Sequence, residues 1–158
     1  DQIKMSLTYG THPTKQSIRN LWSDFLAANG FIETMGLSLS QSRYYEEILP
    51  IAKEELAFIH NTSNVHLDIM RPTMLLSALE TIVHNQNRQQ LDLKLFESGK
   101  TYKRAETNYQ GTERFTIFMT GQRWGESWLF DNNSEVNYFT LKAIVTNLLG
   151  RLGITNFQ

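Results

Sequence analysis

The stretch Leu91-Asp92-Leu93-Lys94-Leu95-Phe96-Glu97-Ser98-Gly99-Lys100-Thr101-Tyr102 decides the fold of this chain. Its leucines alternate with polar residues, which is the period of a β-strand with one buried face. A polar connection from Arg104 to Gly111 separates it from a second strand-like run, Phe115 to Met119. Two such runs joined by a polar connection predict a long antiparallel hairpin.

Three amphipathic segments are predicted to form helices beside this hairpin. The first begins at Pro13, since proline fits a first helical turn, and ends at Gly30, which suits a left-handed stop. The second begins at Pro72 and is expected to bury one face, made of Leu75, Leu79, Ile82 and Val83. The third closes the chain and is expected to bury Leu141, Ile144, Val145, Leu148, Leu149 and Leu152.

Shorter elements lie between these segments. Met35, Leu37 and Leu39 alternate with polar residues and predict a strand with one buried face. A short polar helix is expected around residues 41–48, and a brief strand over Leu56 to His60. Together the pattern predicts an α+β fold, an antiparallel sheet flanked by helices. At 158 residues, positions 1–158 are expected to form a single domain, and the abrupt ends suggest one excised from a longer protein.

Composition narrows the possible functions. Hydrophobic residues are 41% and charged residues 20%, as in a soluble globular domain. With 15 basic and 16 acidic residues, the chain lacks the basic surplus of a domain that grips nucleic acid alone. It has no cysteine, which excludes disulfides and thiolate chemistry, and no apolar run reaches the roughly 20 residues of a membrane span.

Local catalytic motifs are missing from the sequence. The nine glycines are scattered, and neither a dinucleotide-binding loop nor a Walker loop occurs. His60 and His66 lie six residues apart in a polar region and are interpreted as surface histidines, without a metal. No residue is therefore assigned a catalytic, cofactor-binding or metal-binding role.

Three runs identify a family by their order: residues 69–76, Asn85 to Arg88, and residues 95–102. They resemble the β subunit of bacterial phenylalanyl-tRNA synthetase, a class II aminoacyl-tRNA synthetase. The run from Asn137 to Lys142 is similar to the Asp-Phe-Phe-x-Leu-Lys-Gly helix of that family. Here Asn137 stands where an aspartate is usual, and Ala143 where a glycine is usual.

The resemblance implies a catalytic-like domain with the class II synthetase fold, cut from a longer β subunit. The parent enzyme attaches phenylalanine to its tRNA with ATP and magnesium, contains two α and two β chains, and is cytoplasmic. Its active site lies in the α subunit, and tRNA contacts belong to other domains. We therefore expect a non-catalytic assembly domain that supports the α subunit, holds no cofactor of its own and is inactive alone.

The alternative is a nucleotide-binding or regulatory module that binds ATP through a degenerate class II site. Class II chemistry uses an arginine on the α-phosphate, carried by an aromatic-Arg-x-Glu strand motif, and a second arginine on the γ-phosphate. Arg104-Ala105-Glu106, just after Tyr102, fits the first motif superficially, and Arg104 and Glu106 are weak ATP-contact candidates. The second motif is absent, because Gly150-Arg151 falls at the end of a predicted helix.

Two residue groups are assigned structural roles. Arg71, Asn87, Arg88 and Glu97 are predicted to form a polar frame, in which Glu97 pairs with Arg71 or Arg88, because a buried charge is costly unless paired. The apolar stripe of the first helix has two interpretations of equal weight, as part of the core or as a subunit interface. If it is an interface, the isolated domain is also expected to self-associate through it. The residues of the stripe are Ile18, Leu21, Trp22 and Phe25.

Overall fold

The computed structural model describes residues 13–60, 64, 66–106, 108–124, 128 and 134–156. The helices are α1 (Lys15–Ala28), α2 (Ser42–Glu47), α3 (Leu75–Gln86) and α4 (Tyr138–Arg151), with a short 3₁₀ turn at Lys53–Glu55. The strands are β1 (Ile32–Glu33), β2 (Leu39–Ser40), β3 (Ala57–Phe58), β4 (Ile69–Met70), β5 (Leu93–Arg104) and β6 (Tyr109–Thr120).

The long hairpin predicted from the sequence is confirmed. Strands β5 and β6 pair antiparallel without a break, from Leu93 opposite Thr120 to Arg104 opposite Tyr109. Both strands extend into the polar connection, and the turn is closed where the Ala105 N–H donates to the Asn108 carbonyl at 2.7 Å. The backbone hydrogen bonds between the strands thus continue well past the apolar residues from which the strands were predicted.

Two small sheets make up the rest of the β structure. Strand β1 pairs with β5 in parallel and gives the order β1-β5-β6, while β2, β4 and β3 form an antiparallel sheet in that order. The predicted α+β class is confirmed, with one parallel strand at the edge of the larger sheet. Among the described residues, no helix is long and apolar enough to cross a membrane.

Helices α1 and α4 cover one face of the larger sheet. Their shared core consists of Leu26, Phe31, Phe96 and Leu148, all buried. The start of α1 is fixed by Thr14, whose side chain accepts a hydrogen bond from the Ser17 N–H, and Gly30 follows with φ +81°. Both predicted ends of this helix are confirmed, as is the inward face of α4, whose six predicted residues are all buried or half-buried.

A second core lies between the smaller sheet and helices α2 and α3. It is built around Tyr45, Leu56, Ile69 and Leu76, all buried. The Tyr45 hydroxyl lies 3.2 Å from Ser40 Oγ, which gives this buried polar group a partner. The domain thus has two neighbouring cores, and the segment between β1 and β2 passes from one sheet to the other.

The predicted strand through Met35 and Leu37 is wrong. The backbone leaves β5 after Thr34 and pairs again only at Leu39, on β4, so residues 34–38 form a crossing segment. Met35 is 94% exposed and Leu37 is 67% exposed. The alternation is real, but its apolar side faces outward, because the crossing segment turns its inner side to a polar pair described below.

The predicted buried face of α3 is also wrong. The residues buried on this helix are Leu76 and Ala78. Of the four predicted residues, Ile82 is half-buried, whereas Leu75, Leu79 and Val83 are exposed. The helix begins at Leu75, after a buried Met74, and Leu76 packs in the second core. This register turns the apolar stripe read from the sequence partly away from the interior.

Candidate functional site

An ion pair between Arg71 and Glu97 lies at the junction of the two sheets. Arg71 follows the last residue of β4, and Glu97 lies within β5. Arg71 Nη1 lies 2.8 Å from Glu97 Oε1, and the two side chains are only 3% and 5% exposed. The contact lacks the alignment of a hydrogen bond, so it is an electrostatic pair. Because both charges are removed from water, each one needs the other as its partner.

Backbone groups complete the surroundings of this pair. Arg71 Nε donates to the Lys100 carbonyl at 3.1 Å, and the Gly36 N–H donates to Glu97 Oε1 at 3.2 Å. The Arg71 backbone donates to the Ser38 carbonyl and accepts from the Tyr102 N–H, both at 2.9 Å. The pair therefore ties the crossing segment, β4 and β5 together at one point.

Two glycines make room for the guanidinium group. A Cβ atom added to Gly36 would lie 3.2 Å from Arg71 Nη1, tighter than ordinary contact. A Cβ atom on Gly99 would overlap Arg71 Nη2 and press on Met74 Cε. The side chains of Arg71 and Met74 therefore occupy the space beside Glu97 and these two glycines.

The polar frame is smaller than the one predicted. Asn87 caps the C-terminal end of α3 and is exposed. The exposed Arg88 donates from Nη1 to the His84 carbonyl at 2.9 Å. Neither residue contacts Glu97, because α3 carries them away from β5, and Arg71 is the partner of this acid. Of the four predicted members, the structure joins only Arg71 and Glu97.

The weak ATP-contact candidates lie at the tip of the hairpin. Arg104 ends β5 and Glu106 lies in the turn, and both are exposed. Neither takes part in an ion pair in the described part of the chain. The two residues therefore stay candidates for ATP contact.

The α1 stripe divides between interior and surface. Trp22 and Phe25 pack on the first core, with the Trp22 ring 4.7 Å from that of Phe115 and the Arg151 guanidinium 4.6 Å above that of Phe25. Ile18 is half-buried, and Leu21 is 41% exposed. Sequence periodicity alone did not separate these positions, because all four face roughly the same side of the helix.

A pocket of about 480 Å³ lies between the start of α1 and the hairpin. Its apolar floor is made by Ile18, Trp22 and Phe115. Its rim carries Lys15, which pairs with Glu113 at 3.3 Å. Both members of the Lys15–Glu113 pair are exposed, so the pair contributes little to stability.

Metal ligands and histidines show no grouping in the part of the chain that the structure describes. No set of three histidine, aspartate or glutamate residues could hold a metal ion there. His60 and His66 are exposed, as expected for surface histidines.

Comparison with known sequences gives a consistent family. The family model described as the phenylalanyl tRNA synthetase beta chain CLM domain matches residues 2–158. The phenylalanine–tRNA ligase β subunit of Bacteroides thetaiotaomicron is 33% identical over 157 residues, which cover 93% of this chain and 19% of that protein. That of Porphyromonas gingivalis is 35% identical over 156 residues, covering 90% and 19%. The chain thus spans about a fifth of the length of these curated relatives.

Solved structures share the fold at low sequence identity. A pyrrolysyl-tRNA synthetase, PylSc of Desulfitobacterium hafniense, superposes with a TM-score of 0.62 at 15% identity, covering 92% of this chain and 48% of that one. An ATP phosphoribosyltransferase regulatory subunit/histidyl-tRNA synthetase from Bacillus halodurans gives 0.66 at 12% identity, covering 100% and 41%. These similarities establish the class II synthetase fold of the domain.

Proposed function

The chain belongs to the β-chain family of phenylalanyl-tRNA synthetases, and we propose that it acts there as a non-catalytic assembly domain. In this proposal it supports the α subunit during ATP-dependent attachment of phenylalanine to tRNA, in a cytoplasmic complex of two α and two β chains. ATP and magnesium act in the α subunit, and other β domains meet the tRNA. One observation carries the proposal: the apolar surface of the segment that follows α1.

This surface consists of Ile32, Met35 and Leu37, all more than half exposed, and we name it the crossing-segment face. Leu21 of α1 is also exposed, and Arg19 of α1 contacts Glu33 of β1 at 3.2 Å on the surface. Large apolar side chains that remain in water favour burial against a partner, and a few such anchors dominate interface energies. An α subunit is the partner that the family offers for this face.

The interior supports the same proposal. Arg71 and Met74 occupy the space beside Glu97, and the Arg71–Glu97 pair links the two sheets. Linked sheets suit an assembly role, because an interface presented by elements that are already ordered loses less conformational freedom on binding.

Assembly of the α subunit with full-length β variants tests the proposal. Leu37→Glu places a charge on the crossing-segment face, and Leu91→Glu is its matched control, since Leu91 is a similarly exposed leucine just before β5. We expect Leu37→Glu to weaken α–β association at least about tenfold and Leu91→Glu to leave it unchanged, measured by light scattering across a dilution series. Equal association of the two variants would reject this face as the interface.

Trp22→Glu is a poor substitute for this experiment. Trp22 packs on the first core and against Phe115, so a glutamate there would bury a charge and destabilise the domain itself. Loss of assembly in that variant would not distinguish an interface from a folding defect. The Leu37→Glu variant avoids this problem, because 67% of its surface is already exposed.

A further inference from the structure

A second apolar recess lies between helices α2 and α3, beside the second core and not beside the core that α1 covers. We name it the α2–α3 groove; its volume is about 490 Å³. Its apolar lining is made by Tyr44, Ile48, Leu76, Leu79 and Val83, and its polar lining by Glu80, His84 and Asn87. The crossing-segment face and the assembly proposal do not involve this groove, since its helices pack on the second core.

The floor of the groove is more apolar than an ordinary surface. Ile48 is 62% exposed and Val83 is 53% exposed, and Leu75 and Leu79 continue the exposed row along α3 at four-residue spacing. Spacing by four residues places these side chains on one side of a helix. A continuous apolar row beside a recess is the surface against which a helix or an apolar loop packs.

The charged residues around the groove indicate which charge a segment bound there would carry beside its apolar residues. On α2, Arg43 pairs with Glu47 at 2.9 Å, and Glu46 lies 3.8 Å from Lys53, so these charges largely cancel. On α3, Glu80 Oε1 accepts a hydrogen bond from the Tyr44 hydroxyl at 2.9 Å, and this bond raises the pKa of Tyr44. The acidic side chain of Glu80 lies in the lining of the groove, which favours a basic group next to the apolar residues of the occupant.

The length of the family's polypeptides indicates where the occupant comes from. The curated relatives are about five times as long as the region that matches, since the match covers 19% of each. Other domains of such a polypeptide are tethered to this one, and tethering raises their effective concentration far above that of a separate chain. We propose that the α2–α3 groove docks an apolar segment with a basic flank, contributed by another domain of the same β polypeptide.

Alkylation of an engineered thiol tests this proposal. Val83→Cys places a cysteine in the groove, and Gln86→Cys is its matched control, an exposed position on the same helix. Maleimide labelling of each site is followed by peptide mass spectrometry in three samples: the isolated domain, the full-length β subunit, and β mixed with the α subunit. We expect equal labelling rates in the isolated domain, and labelling of Val83→Cys at least about tenfold slower in full-length β alone.

Each other outcome overturns the proposal. Fast labelling of Val83→Cys in all three samples means that nothing covers the groove. If Val83→Cys is labelled more slowly only after the α subunit is added, the occupant belongs to that subunit. If its labelling becomes slower as the concentration of the isolated domain rises, the occupant is a second copy of the domain. A Glu80→Lys change in full-length β is expected to restore labelling severalfold, and no change would contradict the basic flank. The assembly experiment on Leu37→Glu is independent of these results.

Discussion

At the scale of single residues, the domain depends on one buried ion pair. The sequence predicted that Glu97 needs a cationic partner, because a lone buried charge is costly, but it left Arg71 and Arg88 as alternatives. Choosing between them requires the path of α3, which carries Arg88 away from β5. The need for a pair could thus be predicted from the residues, whereas the identity of the partner depends on tertiary structure.

Removing one member of the ion pair is expected to destabilise the domain strongly. Glu97→Gln or Arg71→Met leaves the other charge buried and unpaired, which lowers the free energy of unfolding by about 3–5 kcal/mol. Urea unfolding measures this change, with Arg43→Met as the control in an exposed pair, expected within about 1 kcal/mol of the wild type. A Glu97→Gln variant that melts like the wild type would show that the pair is unimportant.

A side chain at Gly99 is predicted to lower the stability of the domain for a steric reason. Gly99→Ala would place a methyl group against the Arg71 guanidinium and Met74, which costs about 1–3 kcal/mol of stability. Gly150→Ala in α4 is the matched control: its Cβ would meet no atom within 4 Å, and alanine favours helix by about 0.5–1 kcal/mol. Chemical denaturation should therefore move the two midpoints in opposite directions. Equal tolerance of both alanines would contradict the close packing at Gly99.

At the scale of elements, local signals and tertiary packing contribute differently. The hairpin, the ends of α1 and the inward face of α4 could be predicted, since alternation, caps and helical spacing act locally. The outward face of Met35 and Leu37 could not, because alternation reveals that one face is apolar but not which face meets the core. The prediction of the buried face of α3 was wrong for the same reason. Met74 is buried just before this helix, and Leu76 and Ala78 are buried on it.

The start of α4 offers a direct comparison with the family pattern. Asn137 Oδ1 accepts from the Thr140 N–H at 3.0 Å in a capping box. Asn137→Ala removes this acceptor and is expected to lower stability by about 1 kcal/mol. Asn137→Asp, the residue usual in the family, keeps the cap and adds a negative charge at the helix N-terminus, so its stability should equal or exceed that of the wild type. Thermal unfolding checks both, and an aspartate variant less stable than alanine would contradict the capping role.

At the scale of the whole molecule, the described residues form two packed cores and leave several large apolar side chains exposed. The interior joins two sheets through Arg71 and Glu97, while the crossing-segment face and the α2–α3 groove lie on different cores. The class II fold was predictable from the order of the three family runs, and the comparisons confirm both the family and the fold. The surfaces were not predictable, because exposure depends on how separate segments pack.

The central claim is that this domain supports a ligase without binding its nucleotide. Thermal unfolding of the domain with millimolar ATP and magnesium tests it most directly, with an equal concentration of magnesium and inorganic sulfate as the control for ionic strength. A ligand present at about 100 times its Kd would stabilise the folded state by about 2.7 kcal/mol, a clear rise in Tm. The account predicts the same Tm in both solutions. A rise specific to ATP that Arg104→Ala abolishes would contradict it and establish a nucleotide site at the hairpin tip.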